Sequence, residues 1–106
     1  MDEIAYIGRA NAIVRELQAQ DAPIDAATAD AITRVVLRFG PYCIDSDVAG
    51  DPISYADGRV TLQLGLVPGL EQGVYTARMT VYDAANPEGL AWGEFRVRVL
   101  PWEACV

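Results

Sequence analysis

Lysine and histidine are both absent from this 106-residue chain; all eight basic side chains are Arg, set against fifteen Asp and Glu. Without His there is no Ser-His-Asp or Cys-His relay and no imidazole ligand for zinc. A net charge of −7 and a pI near 4.3 argue against nucleic acid and anionic membrane as partners. Serine is scarce, at Ser46 and Ser54, and neither sits in a nucleophile elbow. No apolar run approaches the roughly 20 residues of a membrane-spanning helix. Met1-Asp2-Glu3-Ile4 has no basic n-region, so the expectation is a soluble chain made in the cytoplasm. The two cysteines, Cys43 and Cys105, are in that setting expected to stay reduced, with a disulfide as the alternative. Cys43 has no base nearby in sequence and reads as a buried or inert thiol. No cofactor or metal is expected, and no residue is assigned a catalytic role.

What is present is a folding composition. An apolar fraction of 52% with 22% charged residues suits one globular domain over 1–106 with one core. The second half of the chain alternates with period 2, the pattern of half-buried strands. Val60, Leu62, Leu64 and Leu66 fall on one face of a strand from Arg59 to Leu66. Tyr75, Ala77, Met79 and Val81 fall inward in Gly73–Asp83, and Phe95, Val97 and Val99 in Glu94–Leu100. A fourth strand, Ile32–Phe39, places Thr33, Val35, Leu37 and Phe39 inward and ends at Gly40-Pro41. Turns are expected at Gln20–Pro23, Ala49–Pro52, Ala56–Gly58, Val67–Gly69 and Asn86–Gly89, with Asp57-Gly58 a hairpin signal. Residues 10–20 read as strand or helix; the turn that follows favours the strand. Ala26–Ala31 is undecided. Short strands with this punctuation predict an all-β antiparallel sandwich, with an N-terminal arm over 1–12 or a short helix, and a tail over 101–106.

In Leu70-Glu-Gln-Gly-Val-Tyr-Thr-Ala77, a Gly two residues before an inward Tyr at a strand start matches the corner of immunoglobulin-like and fibronectin-like sandwiches. There the tyrosine hydroxyl bonds back to the turn, so Gly73 and Tyr75 are read as fold determinants. Asp45, Asp47 and Gly50 fit positions 1, 3 and 6 of a calcium loop. Positions 5 and 12 are Ala49 and Ala56, so the loop reads as a solvated acidic turn, a loose calcium site being the alternative. Arg78, Arg96 and Arg98 form a basic stripe if the last two strands pair; the ordinary reading is cross-strand pairing with Glu94 and other acids. Trp102 either covers the core or anchors a partner.

The Pro-Ile-Asp turn, Ile32–Phe39, Ile44-Asp-Ser46, Gly58–Gly65, Leu70–Tyr75, Val81–Gly89 and Trp92–Val99 together resemble the small immunoglobulin-like domains of tailed-phage virions. They are similar to the N-terminal domain of upper-baseplate proteins. The likeness covers about residues 22–100. It implies an immunoglobulin-like fold and a non-enzymatic tail, baseplate or neck adaptor in the virion, assembled in the host cytoplasm. The partners it implies are other virion proteins (tail, fibre or connector subunits) in a symmetric ring. This chain ends where such a protein would continue into a linker or receptor-binding module, which favours a free-standing adaptor. Ile4, Tyr6, Ile7, Tyr82, Trp92 and Trp102 are the candidate interface residues, with Ile4–Ile7 as an arm that pairs with a neighbour. The competing reading is a carbohydrate- or surface-binding immunoglobulin-like module that uses Trp92 or Tyr82.

Overall fold

A computed structural model of the protein describes residues 3–19 and 22–102. Ten strands follow in chain order: β1 (Glu3–Tyr6), β2 (Ile13–Glu16), β3 (Gln18–Ala19), β4 (Ala22–Pro23), β5 (Ile32–Phe39), β6 (Tyr42–Asp45), β7 (Ile53–Ala56), β8 (Arg59–Leu62), β9 (Gly73–Asp83) and β10 (Asn86–Leu100). One helix, α1 (Ala26–Ala31), precedes β5. The strands form a five-stranded sheet, β1-β10-β9-β5-β6, a three-stranded sheet, β2-β8-β7, and the small hairpin β3-β4. Every pairing is antiparallel except that of β1 with β10.

The core lies between the two larger sheets, where alternation puts it. The first supplies Ala5, Val35, Leu37, Phe39, Ile44, Ala77, Met79, Val81, Val97 and Val99; the second supplies Ile13, Ile53, Val60 and Leu62. Leu17, Leu64, Val67 and Leu70 close it from the connections. Among the described residues no polar or charged side chain is buried, so the interior carries no desolvated charge. Two tight turns fix register. Asp57 and Gly58 both have positive φ, at 49° and 79°, the requirement of the two-residue turn that joins β7 to β8. Gly40, at φ 56°, opens the turn from β5 to β6, with Pro41 after it.

Within residues 10–19 the chain forms strands, β2 and β3, and no helix, and the undecided Ala26–Ala31 is α1, started by the Asp25 carboxylate accepting from the Thr28 N–H at 2.7 Å. The first segment differs from an arm: Glu3–Tyr6 is a strand of the chain's own sheet, and Ala5 is buried.

Several expectations are corrected. The strand from Arg59 stops at Leu62 and turns into a single 3-10 turn, Leu64–Leu66; Leu64 stays buried, but Leu66 is exposed rather than inward. At Gly65 the backbone lies against the end of β1, where the Gly8 N–H donates to the Gly65 carbonyl at 2.7 Å. Thr33 is exposed, not inward. A register shift between Ile32 and Arg34 leaves it as the extra residue, with its hydroxyl donating to the Tyr82 carbonyl at 3.3 Å. Asn86–Gly89 belongs to β10 rather than to a turn. The reversal is Ala84-Ala85, closed by Asp83 Oδ1, which accepts from Asn86 N–H and Nδ2–H, both at 2.8 Å. Pro87 is tolerated because the register slips between Asn86 and Leu90. Cys43 is exposed on β6, not buried. Cys105, the rest of the tail over 103–106, and residues 1–2 and 20–21 lie outside the described residues.

A Cβ at Gly65 would overlap the carbonyl oxygens of Tyr6 and Arg9, which are backbone and cannot swing aside. Gly65→Ala is therefore expected to cost roughly 3 kcal/mol, read as a lower urea midpoint at unchanged slope.

Candidate docking surface

The outward face of the five-stranded sheet is assembled by register. On β9, Val74, Thr76, Arg78, Thr80 and Tyr82 point away from the core because Ala77, Met79 and Val81 point into it. Pairing then sets Ile4, Arg98 and Val74 in one row and Arg96 and Thr76 in the next. Glu94, Arg78, Arg38 and Cys43 make a third row, and Tyr82 with Arg34 a lower one. Five of the eight arginines thus share one face.

The lower arginine is fully engaged. Arg34 Nε donates to both Asp45 oxygens at 3.0 Å, Nη2 adds a third short bond, and the guanidinium sits 4.7 Å from the Tyr82 ring centre. The Arg34 bonds hold the Asp45 carboxyl below its ordinary value, helped by the Asp47 N–H. In the upper rows Arg78 meets Glu94 at 3.4 Å, while among the described residues Arg38, Arg96 and Arg98 have no carboxylate partner.

Two tyrosines clamp the loop that leads into β9. The Tyr42 hydroxyl donates to the Gly69 carbonyl at 3.1 Å and accepts from the Glu71 N–H at 2.9 Å; the Tyr75 hydroxyl donates to the Glu71 carbonyl at 2.9 Å. Their rings pack edge to face at 5.7 Å over Phe39. Burial, then the Tyr42 hydroxyl, raises the Tyr75 pKa.

The candidate interface residues separate into groups. Ile4, 37% exposed, and Tyr6 lie with Trp102 at the β1 margin of this face; Trp102 is 55% exposed and meets Tyr6 edge to face at 5.0 Å. Tyr6 and Trp102 line a shallow apolar hollow with Arg9, Ala10 and Asn11. Ile7 packs against the core instead. Tyr82 lies at the other end, between Arg34 and the backbone of Gly89, where even a Cβ would strike its ring. Trp92 is the extra residue of a bulge in β10 and is half-buried against the core. Trp92 also lines surface hollows on either side of the bulge, with Met79, Gly93 and Glu94. Arg38 and Val74, the latter 55% exposed, join this face although the sequence did not single them out; parity with Arg78 along β9 is the signal for Val74, while Arg38 is brought in by the pairing of β5 with β9. The Asp45–Asp51 loop spends its carboxylates internally: Asp45 on Arg34 and the Asp47 N–H, Asp51 Oδ2 on the Asp45 N–H at 3.0 Å. Among the described residues no group of three or more acidic or thiol side chains could hold a metal ion, and no helix is long and apolar enough to cross a membrane.

Compared with known proteins, the chain matches no family model, no curated protein and no solved structure.

Two tests follow from the site's bonds. Asp45 and Asp25, both held below 3.8 by the bonds they accept, contribute stability above that pH and lose it as pH falls through their folded pKa values. Asp45→Asn is expected to lower the denaturation midpoint at pH 6 and to flatten the fall in stability as pH drops below about 4. Tyr75→Phe is expected to lower Tm by roughly 4 °C, about one net hydrogen bond, with the near-UV circular dichroism of the remaining aromatics retained.

Proposed function

We propose that this chain is a non-enzymatic docking module, an immunoglobulin-like sandwich that serves as a tail, baseplate or neck adaptor in a tailed-phage virion. The order β2-β8-β7 opposite β6-β5-β9-β10 supports the fold reading, since it follows the B-E-D and C′-C-F-G arrangement of immunoglobulin sandwiches. The Tyr75 to Glu71 bond supports it further, as the corner such sandwiches use. The observation that carries the docking role is the upper sheet face. Ile4, Val74 and Trp102 stand exposed there among Arg38, Arg78, Arg96 and Arg98. Exposed apolar and aromatic side chains interleaved with arginine are the composition of protein interfaces. The virion setting rests on the resemblance of the strand and turn motifs to those of tailed-phage domains.

Peptide mass spectrometry on density-banded phage particles from the chain's source tests that setting. Recovery in fixed ratio to a major tail protein is the expected result; absence from intact particles removes the virion reading. Titration with a glycan panel is expected to give no saturable quenching of tryptophan fluorescence, which a carbohydrate-binding module would show.

A further inference from the structure

The charge on this acidic molecule is segregated along its strands. From the middle of the five-stranded sheet to its upper end stand Arg38, Arg78, Arg96 and Arg98, with Glu94 among them and Glu71 at the entry to β9. The lower end collects Asp25 and Asp30 on α1, Asp83 beside Ile32 where α1 meets β5, and Asp57 in the β7–β8 turn, against two arginines: Arg34, held by Asp45, and Arg59, 3.8 Å from Glu16. That turn is tied to α1: the Tyr55 hydroxyl donates to the Ala29 carbonyl at 2.6 Å and accepts from the Gly58 N–H at 3.1 Å. β9 runs the whole way between the two ends, and its 11 residues span roughly 36 Å of a molecule 47 Å long.

Folding alone does not account for the upper end. Arg38 stands directly opposite Arg78 across β5 and β9, a like-charge pair that works against the sheet. Guanidinium groups are planar forks suited to carboxylates, and Arg38, Arg96 and Arg98 have none within the described residues. The chain itself carries the complement, four carboxylates at the opposite end.

We propose that a second copy of this chain docks its acidic lower end, Asp25, Asp30 and Asp57, on the arginine face formed by Arg38, Arg78, Arg96 and Arg98. The contact is head to tail, so each copy keeps one free face and the arrangement propagates until it closes into a ring or continues as a filament. This rests on the docking reading of the upper face, not on its placement in a virion. The overall charge of −7 opposes approach, but at 0.15 M salt the Debye length is about 8 Å. Repulsion between whole molecules is then largely screened, whereas ion pairs in contact are not.

Sedimentation velocity on the intact chain tests the contact. Wild type at about 200 µM and 0.15 M salt is expected to form species larger than a monomer, with association weakened at least about tenfold at 1 M salt, where the screening length is about 3 Å. Arg96→Glu/Arg98→Glu and Asp25→Asn/Asp30→Asn alter exposed positions, the second keeping a helix-capping side chain at position 25, and each double variant alone is expected to be monomeric with an unchanged circular dichroism spectrum. Mixed one to one, they are expected to form a heterodimer and nothing larger, because the first keeps the acidic end and the second keeps the arginine face. A monomeric wild type overturns the proposal, and binding of a poly-glutamate peptide by that monomer would assign the face to a different acidic protein. Association that survives each set of substitutions on its own, or that strengthens with salt, also overturns it. Recovery from virions is a separate measurement and is unaffected by any of these outcomes.

Discussion

The register of β9 is the constraint on which the rest depends. It pairs with β10 on one side and β5 on the other, and its odd positions from Ala77 to Val81 supply the middle of the core. A slip of one residue would exchange Met79 for Arg78 and carry a guanidinium into an interior that holds no buried polar side chain among the described residues. The same parity sets Arg78 in line with Arg38 and Glu94, and Val74 in line with Arg98 and Ile4. Core and arginine face are therefore two sides of one register, and neither can change without the other.

That register is anchored at both ends by side chains that bond to backbone. Above, Tyr42 and Tyr75 hold the Gly69–Glu71 loop from which β9 starts. Below, Asp83 closes the Ala84-Ala85 reversal, and Thr33 caps the bulge opposite Tyr82. The flank between the sheets is sealed by Arg15, whose guanidinium lies 4.2 Å over the Phe95 ring and donates to Glu3 at 3.1 Å. That arginine works inside the fold and those of the upper sheet face do not, a division of labour that composition alone hides.

Much of this was legible in the chain. Gly73–Asp83 was bounded correctly because eleven residues alternate without interruption, and Asp57-Gly58 marked its hairpin because few residues tolerate two successive positive φ angles. The departures have local causes. Leu62, Leu64 and Leu66 keep period 2 on paper, yet the close approach of the Gly65 backbone to Tyr6 and Arg9 bends the chain, a long-range contact that no window of sequence contains. Thr33 and Trp92 fall at register shifts, where one residue is passed over and the parity read from sequence changes. β6 and β7, four residues each, are too short to show a period. Of the surface, Arg78, Arg96 and Arg98 were readable as a stripe from parity, but Arg38 joins them only through the pairing of β5 with β9. The burial of Tyr82 beneath Arg34 depends on a contact between neighbouring strands.

Net charge and local charge have different work in such a molecule. Strands β6, β7 and β2 stand at sheet margins, and an exposed margin invites pairing with any other strand. An overall charge of −7 discourages that kind of contact, because most approaches bring acidic surfaces together. The arginine face is an exception, an orientation in which an acidic surface meets several opposite charges together. Arginine suits the exception better than lysine, since its planar fork holds a carboxylate in a fixed geometry while an ammonium group rewards mere proximity. A chain that spends all its positive charge as guanidinium and gathers five of eight on one face has the physical means to be repelled in general and bound in particular.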